Sequence, residues 1–249
     1  LWYLWRSEAT RAWETAYKNG DCNDIQSRFW EYKAPEELYD CEKDPHNIHN
    51  LAADPKYKKL LQRLRKENGR FVTETRDAGF IPEGMMVKMA EGTTIYEMKE
   101  DKNFPIEKII ETAEMATMKE ESKLPELIKQ LDSDIPAVRY CAATACVILP
   151  EKAKSTMPRL KELMQDEYGD VRVAACEALC KMGYKKPALL QLVKEFDSDY
   201  GVRLRAINTL DTLEDDAKLV LKEIMSLVPW KKTDDDFHKK YADLIKKLK

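Results

Sequence analysis

The chain has 249 residues, of which 35% are charged and 43% hydrophobic, and its formal net charge is −3. This slightly acidic balance argues against nucleic acid as a partner, because domains that bind nucleic acid present a basic surface. No run approaches the roughly 18 apolar residues that a membrane-spanning helix requires. The length is sufficient for two modest domains with helix-rich, solvated surfaces.

The first residues, Leu1 to Trp5, read LWYLW and contain no methionine. Large aromatic side chains are rarely exposed together at a free terminus. We therefore expect residue 1 to be an internal point of a longer protein. The sequence then says nothing directly about targeting.

Residues 1–83 contain sequence patterns typical of both a strand and a helix. Alternating apolar and polar residues at Glu37–Asp40 predict a short edge strand, and Asp44-Pro45 predicts a turn. Asp54-Pro55 is typical of a helix start, with a capping carboxylate before a proline. A helical stripe follows and ends before Gly79; its members are Tyr57, Leu60, Leu61, Leu64 and Phe71. We interpret this part as a small α+β unit that is too small to bury a large core alone.

Residues 34–52 read APEELYDCEKDPHNIHNLA. This run resembles a segment near the C-terminus of formylglycine-dependent sulfatases of the arylsulfatase and N-sulfoglucosamine sulfohydrolase type, in order and in spacing. Residues 29–33, 61–65 and 75–83 resemble one bacterial branch of the same family. The resemblance covers roughly residues 1–100 and implies a C-terminal subdomain whose catalytic domain is missing from this sequence.

The resemblance also implies what the missing part does. The parent enzyme hydrolyses sulfate esters or N-sulfates, most plausibly of carbohydrates, and is periplasmic or secreted. Its formylglycine and calcium belong to the missing catalytic domain, so we expect no catalytic residue, metal or cofactor in this chain. The family signature is Cys or Ser, then x-Pro-x-Arg; in Ser155–Arg159 the proline comes one position late.

Cations and aromatic residues alternate near the N-terminus. Arg6, Arg11, Arg28, Trp30 and Lys33 are candidate contacts for a sulfated sugar, because sulfate attracts cations and sugar rings stack on aromatic faces. The alternative, which we favour, is that these residues pack against the missing catalytic domain together with the other N-terminal aromatic residues, Trp2, Tyr3, Trp5, Trp13 and Phe29.

Residues 105–249 contain a repeat, and residues 84–104 form an apolar connector that we expect to be packed. A Val-Arg pair recurs after 33 and then 31 residues, and each occurrence follows an acidic turn and precedes a helix of small residues. This pattern predicts helix–turn–helix repetition, hence an α-solenoid. An opening helix is expected at 105–116, and a final helix pair at 216–227 and 234–248. The last helix is rich in lysine and should be a solvated cap, or alternatively a basic contact patch.

These blocks resemble HEAT-like repeats, in which turn aspartates and second-helix arginines stack into a buried ladder. The expected ladder consists of Asp132, Arg139, Asp166, Arg172, Asp197 and Arg203. A guanidinium can bridge a carboxylate and turn carbonyls, so its role would be structural. The third turn is one residue shorter than the others, which leaves the register there open.

The cysteines and histidines allow weaker alternatives. We expect the cysteines to be small buried hydrophobic residues, although Cys22 and Cys41 could form a disulfide in an exported protein. Cys41 with His46 and His49 could in principle ligate zinc, but a surface role fits these histidines better.

Three functions compete. The chain is a non-catalytic C-terminal portion of an exported sulfatase with an accessory repeat module, an independent helical scaffold for a protein partner, or an enzyme such as a HEAT-like DNA glycosylase. The acidic net charge disfavours the glycosylase, and the scaffold leaves the first hundred residues unexplained. We therefore expect the first function, with the missing catalytic domain as the main partner and a protein partner on the solenoid as a further possibility.

Overall fold

A computed structural model describes residues 4–5, 7–227 and 235–249. These residues contain fourteen α-helices and several 3-10 turns. The helices are α1 (Glu8–Asn19), α2 (Asp24–Ser27), α3 (Lys58–Glu74), α4 (Glu83–Met89), α5 (Ile95–Glu100), α6 (Ile106–Thr117), α7 (Leu124–Lys129), α8 (Pro136–Ile148), α9 (Met157–Leu163), α10 (Gly169–Lys181), α11 (Lys185–Lys194), α12 (Tyr200–Thr212), α13 (Leu221–Ser226) and α14 (Asp235–Leu248). The predicted mainly helical class is confirmed.

The chain divides into two compact units, Leu1–Asn68 and Gly69–Lys249. The division falls inside α3. The predicted boundaries after residues 83 and 104 stay predictions. Among the helices within the described ranges, none is both long enough and apolar enough to cross a bilayer.

Local sequence signals fix the elements of the first unit. Helix α1 ends at Gly20, whose φ of 79° suits the left-handed cap conformation that glycine adopts without strain. Helix α2 starts with a capping box in which Asn23 and Gln26 satisfy each other's backbone N–H groups. Asp54 accepts the N–H of Lys56 ahead of α3, as its position before Pro55 predicts.

The strand predicted at Glu37–Asp40 does not form, and no β-strand occurs in the part of the chain that the structure describes. The Leu38 N–H donates to the side-chain oxygen of Asn50 at 3.0 Å, and the Leu38 carbonyl accepts the Leu51 N–H at 2.8 Å. The Asn50 amide also donates to the Glu36 carbonyl. A side-chain amide therefore replaces hydrogen bonds that a partner strand would supply, and the α+β character expected of this unit is not found among its described residues.

The second unit contains the repeats. Three helix pairs, α7 with α8, α9 with α10 and α11 with α12, follow one another as the Val-Arg period predicts, and α6 covers the face of α8 at the start. The second helix of each pair is lined with small residues. Ala142, Ala143, Ala174, Ala175 and Ala206 are fully buried. Side chains of this size let neighbouring helices approach closely, so the core interdigitates at high density.

The predicted connector, residues 84–104, carries α4 and α5 in the second unit. Helix α4 lies against α10 and α12, and Met85 is 1% exposed. Two glycines make this approach possible. A Cβ atom added to Gly201 would lie 2.8 Å from the Cα atom of Gly84, which is backbone and cannot turn aside.

The last helix keeps most of its lysines exposed, namely Lys239, Lys246, Lys247 and Lys249, and it also contacts the repeats. Lys240 and Lys247 both bind the carboxylate of Asp211 on α12, each at 2.9 Å. Phe237 of α14 also packs edge-on against Phe196, with ring centroids 5.4 Å apart. Lys240 and Lys247 thus anchor α14 to the repeat stack, because their long side chains let the ammonium groups reach a carboxylate of that stack.

We predict that Gly201→Ala destabilises the protein by about 1–2 kcal/mol, because the overlap with Gly84 outweighs the helix-propensity gain. Urea denaturation measures the change. Gly69→Ala is the matched control: Gly69 is helical, and nothing lies within 4 Å of an added Cβ, so this substitution should stabilise by about 0.5–1 kcal/mol. Equal effects at both glycines would contradict the close approach of α4 to α12.

Candidate functional site

The predicted sugar-binding residues surround an aromatic cluster in the first unit. The ring of Trp30 lies 5.3 Å from that of Trp13 and 4.9 Å from that of Phe29, in edge-to-face contacts, and it stacks on Tyr17 at 5.9 Å. Trp5 adds a further edge contact at 6.2 Å. The Trp30 indole N–H is enclosed and has no hydrogen-bond acceptor among the described residues. Trp30 is therefore the centre of a half-buried aromatic cluster that includes Trp5 and Trp13, while Phe29 is 54% exposed.

The predicted cations around this cluster bind acceptors of the chain itself. Arg11 donates to the carbonyl of Trp5 at 2.7 Å, and Arg28 donates to the carbonyl of Ile48. Lys33 pairs with Glu37 at 3.5 Å. Arg6 lies outside the described residues. The Arg28 contact links segments 20 residues apart, whereas the other two are local. A sulfate group would have to compete with all three.

The central part of the predicted ladder has two rungs of the same design. The Arg139 guanidinium binds both carboxylate oxygens of Asp166, at 2.8 and 3.0 Å, and donates to the Ser133 carbonyl at 2.8 Å. Arg172 binds both carboxylate oxygens of Glu195, at 2.7 and 2.6 Å. It also donates to the Asp166 carbonyl at 2.8 Å. Each arginine thus joins its own turn to the next turn, as planar bidentate donors can.

The remaining ladder residues are placed differently. Asp132 forms a partly exposed pair with Arg159 at 2.8 Å. Arg203 lies over the rings of Tyr200 and Phe237, with its guanidinium carbon 5.4 Å from each ring centroid. Asp197 is exposed at the end of a 3-10 turn. The structure therefore brings Arg139 and Asp166 together and gives Arg172 a glutamate partner.

Glu195 was not among the predicted residues. Its side chain is 3% exposed and also accepts from Gln191 and Ser198 at 2.7 Å each. Burial acts to raise the pKa of Glu195, but the hydrogen bonds from Arg172, Ser198 and Gln191 outweigh it and hold this pKa below its ordinary value. The same pairing raises the pKa of Arg172. The ion pair is therefore intact at neutral pH.

A second unpredicted carboxylate, Asp170, lies where α4 meets the repeats and is 2% exposed. The Arg205 guanidinium is 4.0 Å away and covers the Tyr140 ring at 4.6 Å. Burial raises the pKa of Asp170, while Arg205 and the Met85 N–H act in the opposite direction. A carboxylate at the first turn of a helix is favourable to its backbone dipoles, so Asp170 anchors the start of α4.

The cysteines and histidines form neither a disulfide nor a metal-binding cluster in the described part of the chain. All six thiols are free, including those of Cys22 and Cys41. Burial raises the pKa of Cys141 and of Cys180 to about 12, which keeps these thiols protonated and inert. No cluster of three or more His, Cys, Asp or Glu side chains within the described ranges is arranged to hold a metal ion. Cys41 donates weakly to Asn47 instead, and His49 lies beside Asp44.

Comparison with known proteins gives one match in the repeats and two to enzymes. The family model for HEAT repeats matches residues 156–227, which run from just before α9 to the residue after α13. An ulvan-active sulfatase of Formosa agariphila is 39% identical over 69 residues, 27% of this chain and 12% of that protein. The human N-sulphoglucosamine sulphohydrolase is 44% identical over 50 residues, 20% of this chain and 10% of that protein. No solved structure matches significantly. The chain thus spans about a tenth of the length of the curated relatives it matches.

We predict that Arg172→Ala destabilises the protein by about 2–4 kcal/mol, because it leaves the buried carboxylate of Glu195 without its charge partner. Thermal or urea denaturation measures the loss. Lys194→Ala is the control, since Lys194 is an exposed residue of α11, and should change stability by less than about 0.5 kcal/mol. Lys240 is unsuitable as a control because it is 14% exposed and binds Asp211. Similar losses in both variants would show that the rung is energetically unimportant.

The same ion pair predicts a pH dependence. Because the pKa of Glu195 is lower in the folded than in the unfolded protein, its contribution is complete above the ordinary value of 4.5 and disappears as the pH falls through the folded-state value. Glu195→Gln should therefore be less stable than the parent at pH 7, by about 1–3 kcal/mol. This difference should shrink as the pH is lowered below 4.5. Urea denaturation of both proteins across this range measures the difference; one that grows on acidification would reverse the assigned direction.

Proposed function

We propose that this chain is the non-catalytic C-terminal portion of a sulfatase, with a HEAT-like helical module that serves packing or partner binding. The observation that carries the proposal is the similarity to two sulfatases from distant organisms at 39% and 44% identity. The run at 34–52 supports it, since it resembles the sulfatase segment in order and in spacing. The parent protein would hydrolyse sulfate esters or N-sulfates of carbohydrates.

The residues present do not fit the chemistry of the reaction itself. The sequence lacks the Cys or Ser, x-Pro-x-Arg signature that becomes formylglycine, and the nearest run, Ser155–Arg159, starts in a 3-10 turn and enters α9. The carboxylates that the fold buries, Asp166, Asp170 and Glu195, are committed to helix packing. Calcium and formylglycine are therefore assigned to the catalytic domain of the parent, which would be the main partner of this chain.

An exported location, periplasmic or secreted, follows from the same proposal. The free thiols are compatible with export to an oxidising compartment, because four of the six are buried in the repeats, where oxidants have little access.

The second candidate is an independent helical scaffold for a protein partner. It is favoured by one observation: the second unit, Gly69–Lys249, holds a core cluster that runs from Ala78 to Leu248. A unit with its own core can act alone. The two candidates differ in whether the first unit belongs to an enzyme.

We predict that the purified chain has no sulfatase activity towards an aryl sulfate in the presence of calcium, because removing the nucleophile of a covalent mechanism abolishes most of the rate enhancement. Turnover is followed by release of the phenol. Activity that follows this protein through every purification step would contradict the proposal. A known intact sulfatase, assayed in parallel, shows that the conditions support turnover.

The gene around this chain gives an independent test. The proposal requires a sulfatase catalytic domain with the formylglycine signature encoded in frame before Leu1. A reading frame in which an unrelated domain precedes Leu1 would favour the independent scaffold.

A further inference from the structure

The outer side of α3 in the first unit carries a row of four cations. Lys56 lies in the 3-10 turn that leads into the helix, and Lys59, Arg63 and Lys66 follow at intervals of three, four and three residues. Side chains at these intervals lie on one face of a helix. All four are exposed. At 1.5 Å per residue, the row extends over about 15 Å.

The charges of this row are not neutralised by the described part of the chain. No carboxylate there forms an ion pair with any of the four side chains. Arg65, on another face of α3, does have such a partner, since it binds Glu36 at 2.5 Å. Arg11, Arg28 and Lys33 likewise have acceptors. The row is therefore a part of the first unit whose positive charge is available to an external anion.

The shape of the row excludes one class of partner. A helix that lies on a membrane needs a broad exposed apolar face next to its cations. Here Tyr57, Leu60 and Leu61 are half-buried, whereas Leu64 and Phe71 are exposed, at 44% and 61%. Two exposed apolar side chains about two helical turns apart do not make the broad apolar face that a membrane-bound helix needs.

We infer that the row of Lys56, Lys59, Arg63 and Lys66 binds a linear sulfated polysaccharide. This inference rests on the proposed function, which makes sulfated carbohydrate the polyanion that the protein meets. Sulfate monoesters stay anionic at every physiological pH, and they accept hydrogen bonds from ammonium and guanidinium groups. Flexible lysines adapt to sulfates at variable positions along a chain. The row would hold the polymer while the catalytic domain acts on another part of it, which raises the local substrate concentration.

The test measures binding of the full chain to immobilised dextran sulfate, with unsulfated dextran as the reference, at increasing sodium chloride concentrations. We expect binding to dextran sulfate alone, with an affinity that falls steeply with salt because counterions are released. In the triple variant Lys59→Gln, Arg63→Gln, Lys66→Gln, the affinity should fall at least about tenfold, and the slope of log affinity against log salt should decrease by about 2.

The matched control is the triple variant Lys58→Gln, Lys102→Gln, Lys129→Gln. It removes the same net charge at exposed lysines outside the row, so its affinity should stay within about twofold of the parent. Circular dichroism establishes that both variants are folded. Equal losses in the two triple variants, or binding to unsulfated dextran of similar strength, would overturn the inference.

Two further ligands decide between classes of polyanion. Single-stranded DNA and phosphatidylserine-containing vesicles should bind more weakly than dextran sulfate at the same salt concentration. Preferential binding to either would assign the row to nucleic acid or to a membrane surface and overturn the inference. If the row fails to bind but a catalytic domain is encoded before Leu1, only this inference fails; an unrelated upstream domain would refute the proposed function regardless of binding.

Discussion

The bidentate pair between Arg172 and Glu195 fixes the register on which the repeat stack depends. One guanidinium holds the carbonyls of its own turn and, at 2.7 and 2.6 Å, both oxygens of a carboxylate in the following turn. Because Glu195 is almost fully enclosed, displacement of this turn would leave a buried charge unpaired. Arg139 and Asp166 impose the same constraint one repeat earlier. The fully buried alanines of α8 and α10 need this register, since small side chains interdigitate well in few arrangements.

Close packing also determines which surface of the repeats is available. The N-terminal ends of α10 and α12 are occupied by α4, which Gly84 and Gly201 allow to approach, and Asp170 anchors its first turn. At the other side of α12, Asp211 holds two lysines of α14. The chain itself therefore covers much of its second helices. Any partner of this module would meet the first helices and the turns rather than the alanine-lined surfaces.

Periodicity and composition predicted the helices and the repeat, because both depend on local spacing. The partner of Arg172 could not be predicted in this way. In the third turn Asp197 is exposed, and the carboxylate that binds the Arg172 guanidinium is that of Glu195, two residues earlier. The strand predicted at Glu37–Asp40 does not form for a related reason. Alternation of apolar and polar residues describes one segment and carries no information about whether a second strand exists to pair with it. Here the amide of Asn50 takes its place.

Residue type alone does not show which charged side chains stabilise the fold and which are accessible to a ligand. Their hydrogen-bond partners and their exposure do. Arg11 and Arg28 have the chemistry to bind sulfate, but they donate to carbonyls of Trp5 and Ile48 and so stabilise the fold of the first unit. In the repeats, the carboxyl groups whose pKa values the fold shifts most plainly by burial and pairing, Asp170, Glu195 and Asp211, serve helix docking. If a ligand displaced the partner of such a group, the protein would lose the stabilisation that the partner provides. The four cations of the row, Lys56, Lys59, Arg63 and Lys66, have no such partner to lose within the described chain. The fold therefore leaves these four charges accessible to an external anion, unlike the buried carboxylates of the repeats.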